Sequence, residues 1–115
     1  MVSPITTHVL DTARGKPAAG VPVALELRDG LGRWELIGQG VTDADGRLRT
    51  LTAEGWSLVR GVYRISFDTG SYFRSVNVEG FYPEASIVFE VREPGEHYHV
   101  PLLLNPFGYS TYRGS

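Results

Sequence analysis

Apolar residues recur along this chain with a period of two, in short runs broken by Gly, Pro, Asn and Asp, and that pattern predicts β-strands. The clearest run sets Val21, Val23, Leu25 and Leu27 against Pro22, Ala24, Glu26 and Arg28, a half-buried strand. Ile5 to Asp11 places Ile5, Thr7, Val9 and Asp11 on one side and Thr6, His8 and Leu10 on the other, so His8 shares a face with Leu10. Gly61 to Asp68 alternates in the same way, with Tyr63, Ile65 and Phe67 as its apolar side. Arg33 to Val41 runs through Gly38 and Gly40, which suggests a bulge or a sheet edge. After the turn-formers Thr42 to Gly46, Arg47 to Leu51 reads as a brief strand on which Arg47 and Arg49 point the same way. Ser86 to Arg92 is a further strand. The one helix is expected over 69–78, behind Asp68 and Thr69 as candidate caps, with Tyr72, Phe73 and Val76 on one side. His97 to Leu104 alternates poorly and fits a strand buried on both faces or packed against another subunit. Asn105 to Gly108 then turns the chain into Tyr109 to Tyr112, three residues short of Ser115.

Seven or eight short strands and one short helix make an all-β sandwich, and 115 residues are enough for one domain, spanning 1–115 without repeat or linker. Eleven Lys and Arg against thirteen Asp and Glu leave a net charge of −2. With no basic cluster, that balance argues against a nucleic-acid or anionic-membrane partner. No stretch approaches the ~20 apolar residues that span a bilayer, and the first residues lack a basic segment followed by an apolar run, so a soluble cytoplasmic protein is expected. The absence of cysteine removes disulfides and thiolate metal ligands.

Candidate chemistry is thin: there is no nucleophile elbow, no phosphate-cradling glycine loop and no paired carboxylates with a cofactor signature. What remains is His8, His97 and His99 together with arginines. Imidazole titrates near neutrality, so any of the three that faces a closed site is a candidate general base; the plainer account of each is a strand-edge histidine. His97 and His99, two residues apart, share a strand face and could bind zinc with His8, but no fourth ligand is specified. Two guanidinium groups at Arg47 and Arg49 want an anion or a carbonyl-rich partner. Trp34 and Trp56 read as packing residues.

Several stretches resemble the transthyretin-like family: HVLDTARGKPAAG from His8, TDADGR at 42–47, YRISFDTGSYF at 63–73 and HYHVPLLLNPFGYSTYRGS at the end. The closing Tyr112, Arg113, Gly114 and Ser115 are similar to the signature of its 5-hydroxyisourate hydrolases, which hormone-carrying transthyretins lack. The resemblance implies a prealbumin-like sandwich of two antiparallel sheets. It also implies a homotetramer whose central channel is lined by the first strand, the strand bearing Arg47 and the last two. The implied reaction is hydrolysis of 5-hydroxyisourate, a purine-derived small molecule, to 2-oxo-4-hydroxy-4-carboxy-5-ureidoimidazoline. His8, Arg47, His99 and Ser115 are the implied catalytic residues, and His8, Arg47 and Tyr112 the substrate-binding ones. One imidazole would activate water, Arg47 would grip the carbonyl-rich ring as a bidentate fork, and the Ser115 carboxylate would pair with an arginine or hold a histidine in one tautomer. No cofactor and no metal is implied. The competing expectations are a non-catalytic carrier of small aromatic ligands and a zinc-stabilised structural module.

Overall fold

A computed structural model describes residues 3–115. Its elements are β1 (Ile5–Asp11), β2 (Lys16–Pro17), β3 (Pro22–Arg28), β4 (Trp34–Val41), β5 (Arg47–Leu48), β6 (Gly61–Phe67), α1 (Thr69–Ser75), β7 (Ala85–Val91), β8 (Tyr98–Asn105) and β9 (Gly108–Thr111). One sheet has the order β2-β1-β8-β9 with β5 also on β1, and the other has the order β4-β3-β6-β7. The inward positions of both sheets, among them Ile5, Val9, Leu102 and Leu104 facing Val23, Leu25, Ile65 and Phe67, form one core, as expected of a sandwich.

The differences from the sequence expectation are local. Lys16–Pro17, inside a stretch read as a loop, pairs with Leu10 and Asp11. The strand expected over 47–51 stops at Leu48 because the chain then leaves β1 and crosses towards β4, where Thr52 bridges Gly38. The bulge expected beside Gly38 is present: pairing with β3 jumps from Gly38 to Leu36, leaving Ile37 unpaired, and β4 is also the sheet edge. The helix ends at Ser75 rather than 78, since Asn77 takes a left-handed conformation with φ of 59°. Its start is as expected, with the Asp68 carboxylate accepting from Ser71 N at 3.0 Å.

Two features of β8 position the site. It pairs in parallel with β1, from Ile5 opposite Tyr98 to Asp11 opposite Leu104, whereas the other strand pairs among the described residues are antiparallel. That pairing brings the two ends of the chain side by side. Pro101 sits mid-strand, although proline is usually confined to sheet edges because it has no N–H to give. Gly114 N donates to His99 O at 2.8 Å, so alternate residues of β8 present their backbone to the last strand, and Pro101 has nothing to donate opposite Tyr112. The ladder opens there after Thr111, whose hydroxyl donates to Pro101 O at 2.7 Å, and closes again at Gly114. No helix among the described residues is long and apolar enough to cross a membrane.

Candidate active site

The outward face of the first sheet collects the polar residues. On β1, His8 lies opposite Arg47 of β5 and Pro101 of β8, while Thr6 lies opposite His99. Cross-strand neighbours share a face, so the imidazoles and the guanidinium converge from three strands. Arg47 is fixed by the turn before it: the Asp43 carboxylate accepts from Asp45 N at 2.8 Å and from Arg47 N at 3.0 Å. Those amide donors, that of Arg47 first, hold the Asp43 carboxyl below its usual range. Gly46 completes the turn with φ of 74°, a left-handed conformation that favours glycine.

A cleft of about 210 Å³ is lined by Thr6, Thr7, Arg47, Arg49, His97, His99 and Ser115. It falls below the ~300–1,000 Å³ of sites for drug-sized ligands, which suits a small heterocycle or a site completed by a neighbour. A larger cleft, about 660 Å³, lies elsewhere, between residues such as Pro22, Val41, Ser66, Asp68 and Glu84. It holds neither an imidazole nor a guanidinium, so chemistry rather than size selects the smaller one.

Burial, and then the charge of Arg47, push His8 below its ordinary pKa; the backbone of Asp45 and the carboxylates of Asp43 and Asp45 oppose this only partly. His99 is likewise pushed down, by burial first and then by the charges of Arg47, His8 and His97. Both rings are therefore neutral near pH 7, the state in which an imidazole can accept a proton. The Thr6 hydroxyl lies between His97 Nε2 at 2.9 Å and His99 Nδ1 at 2.8 Å. Neither Arg47 nor Arg49 belongs to an ion pair among the described residues.

Ser115 lines the cleft, but its carboxylate forms no ion pair among the described residues. Arg113, its nearest cation in sequence, turns away to meet Glu96 at 3.1 Å, with its guanidinium 4.4 Å from the centre of the Tyr98 ring. The neighbour that holds one nitrogen of His99 is Thr6 rather than the chain terminus. Tyr112 is 58% exposed and lies with Tyr98, Val100, Thr111 and Arg113 against Ile87 and Phe89 at the sandwich edge, outside the cleft. Among the described residues no three His, Cys, Asp or Glu side chains gather as a metal-binding group. Thr6 was not a sequence candidate; its only signal was sharing strand parity with His8.

The pattern of the HIUase/Transthyretin family matches residues 5–114. The chain belongs to that family. It is 49% identical to a 5-hydroxyisourate hydrolase of Halalkalibacterium halodurans over 121 aligned positions, covering all of both chains. It is 47% identical to the 5-hydroxyisourate hydrolase of Salmonella typhi, covering 96% of this chain and 80% of that one. Among solved structures, Klebsiella pneumoniae 5-hydroxyisourate hydrolase matches with a TM-score of 0.82 at 40% identity, over 96% of this chain and 98% of the other. Sea bream transthyretin in complex with thyroxine matches with a TM-score of 0.87 at 35% identity, over 97% and 95%. The HIUase/Transthyretin fold thus fits hydrolase and carrier alike, and the residues on its outward sheet face must separate them.

Proposed function

We propose that this chain hydrolyses 5-hydroxyisourate, opening a cyclic amide to give 2-oxo-4-hydroxy-4-carboxy-5-ureidoimidazoline. The observation that carries the reading is the meeting of His8, His99 and Arg47 on one face, with both imidazoles held neutral and the guanidinium outside any ion pair among the described residues. His99 takes a proton from water at Nε2, the hydroxyl oxygen bonds to the ring carbonyl carbon, and the C–N bond breaks as a proton passes to the leaving nitrogen. His8 orients the water. Arg47 binds the heterocycle's carbonyl groups as a planar fork and stabilises the oxyanion, with Arg49 adding positive field. The Ser115 carboxylate is proposed to orient substrate from the cleft wall. Tyr112, away from the cleft of its own chain, is proposed to contact substrate in a neighbouring copy of a homotetramer. The half-buried Leu10 and Leu103, which pair on the same face as the imidazoles, support association there. No metal or cofactor enters these steps. A cytoplasmic setting belongs to the same proposal.

Likeness to a thyroxine-bound transthyretin favours a carrier as the second reading. A cleft lined by Thr6, Thr7, Arg47, Arg49, His97, His99 and Ser115, all polar or charged, would be a poor pocket for an apolar hormone, because buried polar groups left without partners oppose binding. The test is the ultraviolet decay of freshly generated 5-hydroxyisourate with and without the protein, repeated after exhaustive chelation. The expected result is acceleration by the intact protein, undiminished by the chelator and lowered about 10²–10⁴-fold in His99→Ala, the usual contribution of a general base. Decay at the spontaneous rate would leave the carrier reading standing.

A further inference from the structure

Thr6 is 4% exposed, and its hydroxyl is shared by two imidazoles, at 2.9 Å from His97 Nε2 and 2.8 Å from His99 Nδ1. A hydroxyl has one proton to donate. Full use of both contacts therefore makes Thr6 a donor to one ring and an acceptor from the other. In one arrangement Thr6 donates to His97 Nε2 and accepts from His99 Nδ1–H, which leaves the lone pair of His99 on Nε2. In the other it accepts from His97 Nε2–H and donates to His99 Nδ1, so that the His99 proton sits on Nε2. Only the first leaves Nε2 of His99 free to accept a proton from water. With a proton on both facing nitrogens the Thr6 hydroxyl proton has no acceptor, and with a proton on neither nitrogen one ring is left without a donor; either is costly beside a nearly buried residue.

We propose that Thr6 is a positioning residue that couples protonation of His97 Nε2 to the tautomer of His99, so that His99 is a base only while His97 Nε2 carries no proton. This rests on the hydrolytic reading with His99 as its base. When His99 accepts the water proton at Nε2, its Nδ1–H remains bonded to the Thr6 oxygen, so the arrangement survives proton transfer. His97 is exposed to solvent. The other groups facing the pair are His8 from β1, Arg47 from β5 with Arg49 just after it, and the Ser115 carboxylate from the chain end. The positive neighbours oppose direct protonation of His99, whereas a proton on His97 disarms it through Thr6 without charging it.

Long-range proton–nitrogen spectra of the imidazole rings, taken across pH on the intact protein, read the tautomers without any substrate. The native protein should show His99 as the Nδ1–H tautomer at neutral pH and as Nε2–H once His97 is charged. Thr6→Ser should keep that switch, and Thr6→Val should lose it. In the 5-hydroxyisourate assay, Thr6→Val should lower kcat about tenfold, part of the ~10²–10⁴-fold a general base supplies, with KM within about twofold. Its acid limb should move to lower pH, and Thr6→Ser should restore kcat to within about threefold. A His99 tautomer that follows pH identically in Thr6→Val overturns the coupling, as does native kcat with a native acid limb in that variant. If the native protein fails to accelerate decay, the hydrolytic reading falls, and the spectra still decide whether Thr6 links the two rings.

Discussion

At the scale of single residues, the chain end is fitted to His99 by the smallest side chain. Gly114 N–H donates to His99 O at 2.8 Å, and a Cβ on Gly114 would lie 2.6 Å from His99 Cδ2 and 3.3 Å from Pro101 Cγ. Only a residue without Cβ lets the tail lie this close to the imidazole, and the next residue, Ser115, then enters the cleft. Residues added after Ser115 would have to occupy or leave that cleft, and would replace its carboxylate by an amide. A C-terminal extension of a few residues should therefore lower kcat/KM about tenfold or more. It should leave the melting temperature nearly unchanged, because surface additions rarely move stability by more than ~0.5 kcal/mol. Unchanged kcat/KM in the extended protein would remove the terminus from the proposal. Strand parity made much of this face legible in advance: His8, Arg47 and His99 fall on the sides their spacing assigns, while Arg49, past the end of β5, lines the same cleft as Arg47 without being in a strand. The hydroxyl between His97 and His99 was not legible, because local alternation does not reveal which distant strand lies beside β1.

Among elements, the junction of α1 with the first sheet rests on one buried polar contact. Asp11, 2% exposed at the end of β1, accepts from the Tyr72 hydroxyl at 2.7 Å and from Arg14 N at 3.1 Å. Burial first, and then the neighbouring Asp11, push the Tyr72 hydroxyl above its ordinary pKa, so it stays protonated and donating. Tyr72→Phe keeps the ring and deletes the donor, leaving one carboxylate oxygen short of a partner. Unfolding free energy should fall by about 1–3 kcal/mol, as when a buried acceptor loses its donor. Chemical denaturation checks this, and a loss below about 0.5 kcal/mol would show that water replaces the hydroxyl. The elements themselves were readable wherever period two ran for several residues, as in β1, β3 and β6. Lys16–Pro17 carries no such signal and pairs only because Leu10 and Asp11 lie beside it. The parallel match of β1 with β8 joins residues some ninety positions apart, and no local pattern encodes it.

For the whole molecule, the imidazoles tie stability to pH. His8 and His99 lie below their ordinary value of 6.5 in the folded chain, whereas in the unfolded chain they return to about 6.5. Just below pH 6.5 the unfolded state therefore binds more protons than the folded one, and stability must rise with pH. The contribution is complete above about pH 6.5, declines as pH falls through 6.5, and levels off below the lowered folded values. Asp43 and Asp68, held below 3.8, also favour the folded state at higher pH, but their contribution fades only in stronger acid. Between pH 7.5 and 5 the imidazoles should thus dominate, and association over this face would deepen their burial and steepen the effect. The melting temperature should fall by a few degrees across that interval, each degree in a domain of this size reflecting a few tenths of a kcal/mol. His99→Gln, which cannot titrate, should flatten the fall. A slope equally steep in that variant would mean that His99 is not held neutral on this face, and would remove the physical basis for its acting as a base near neutral pH.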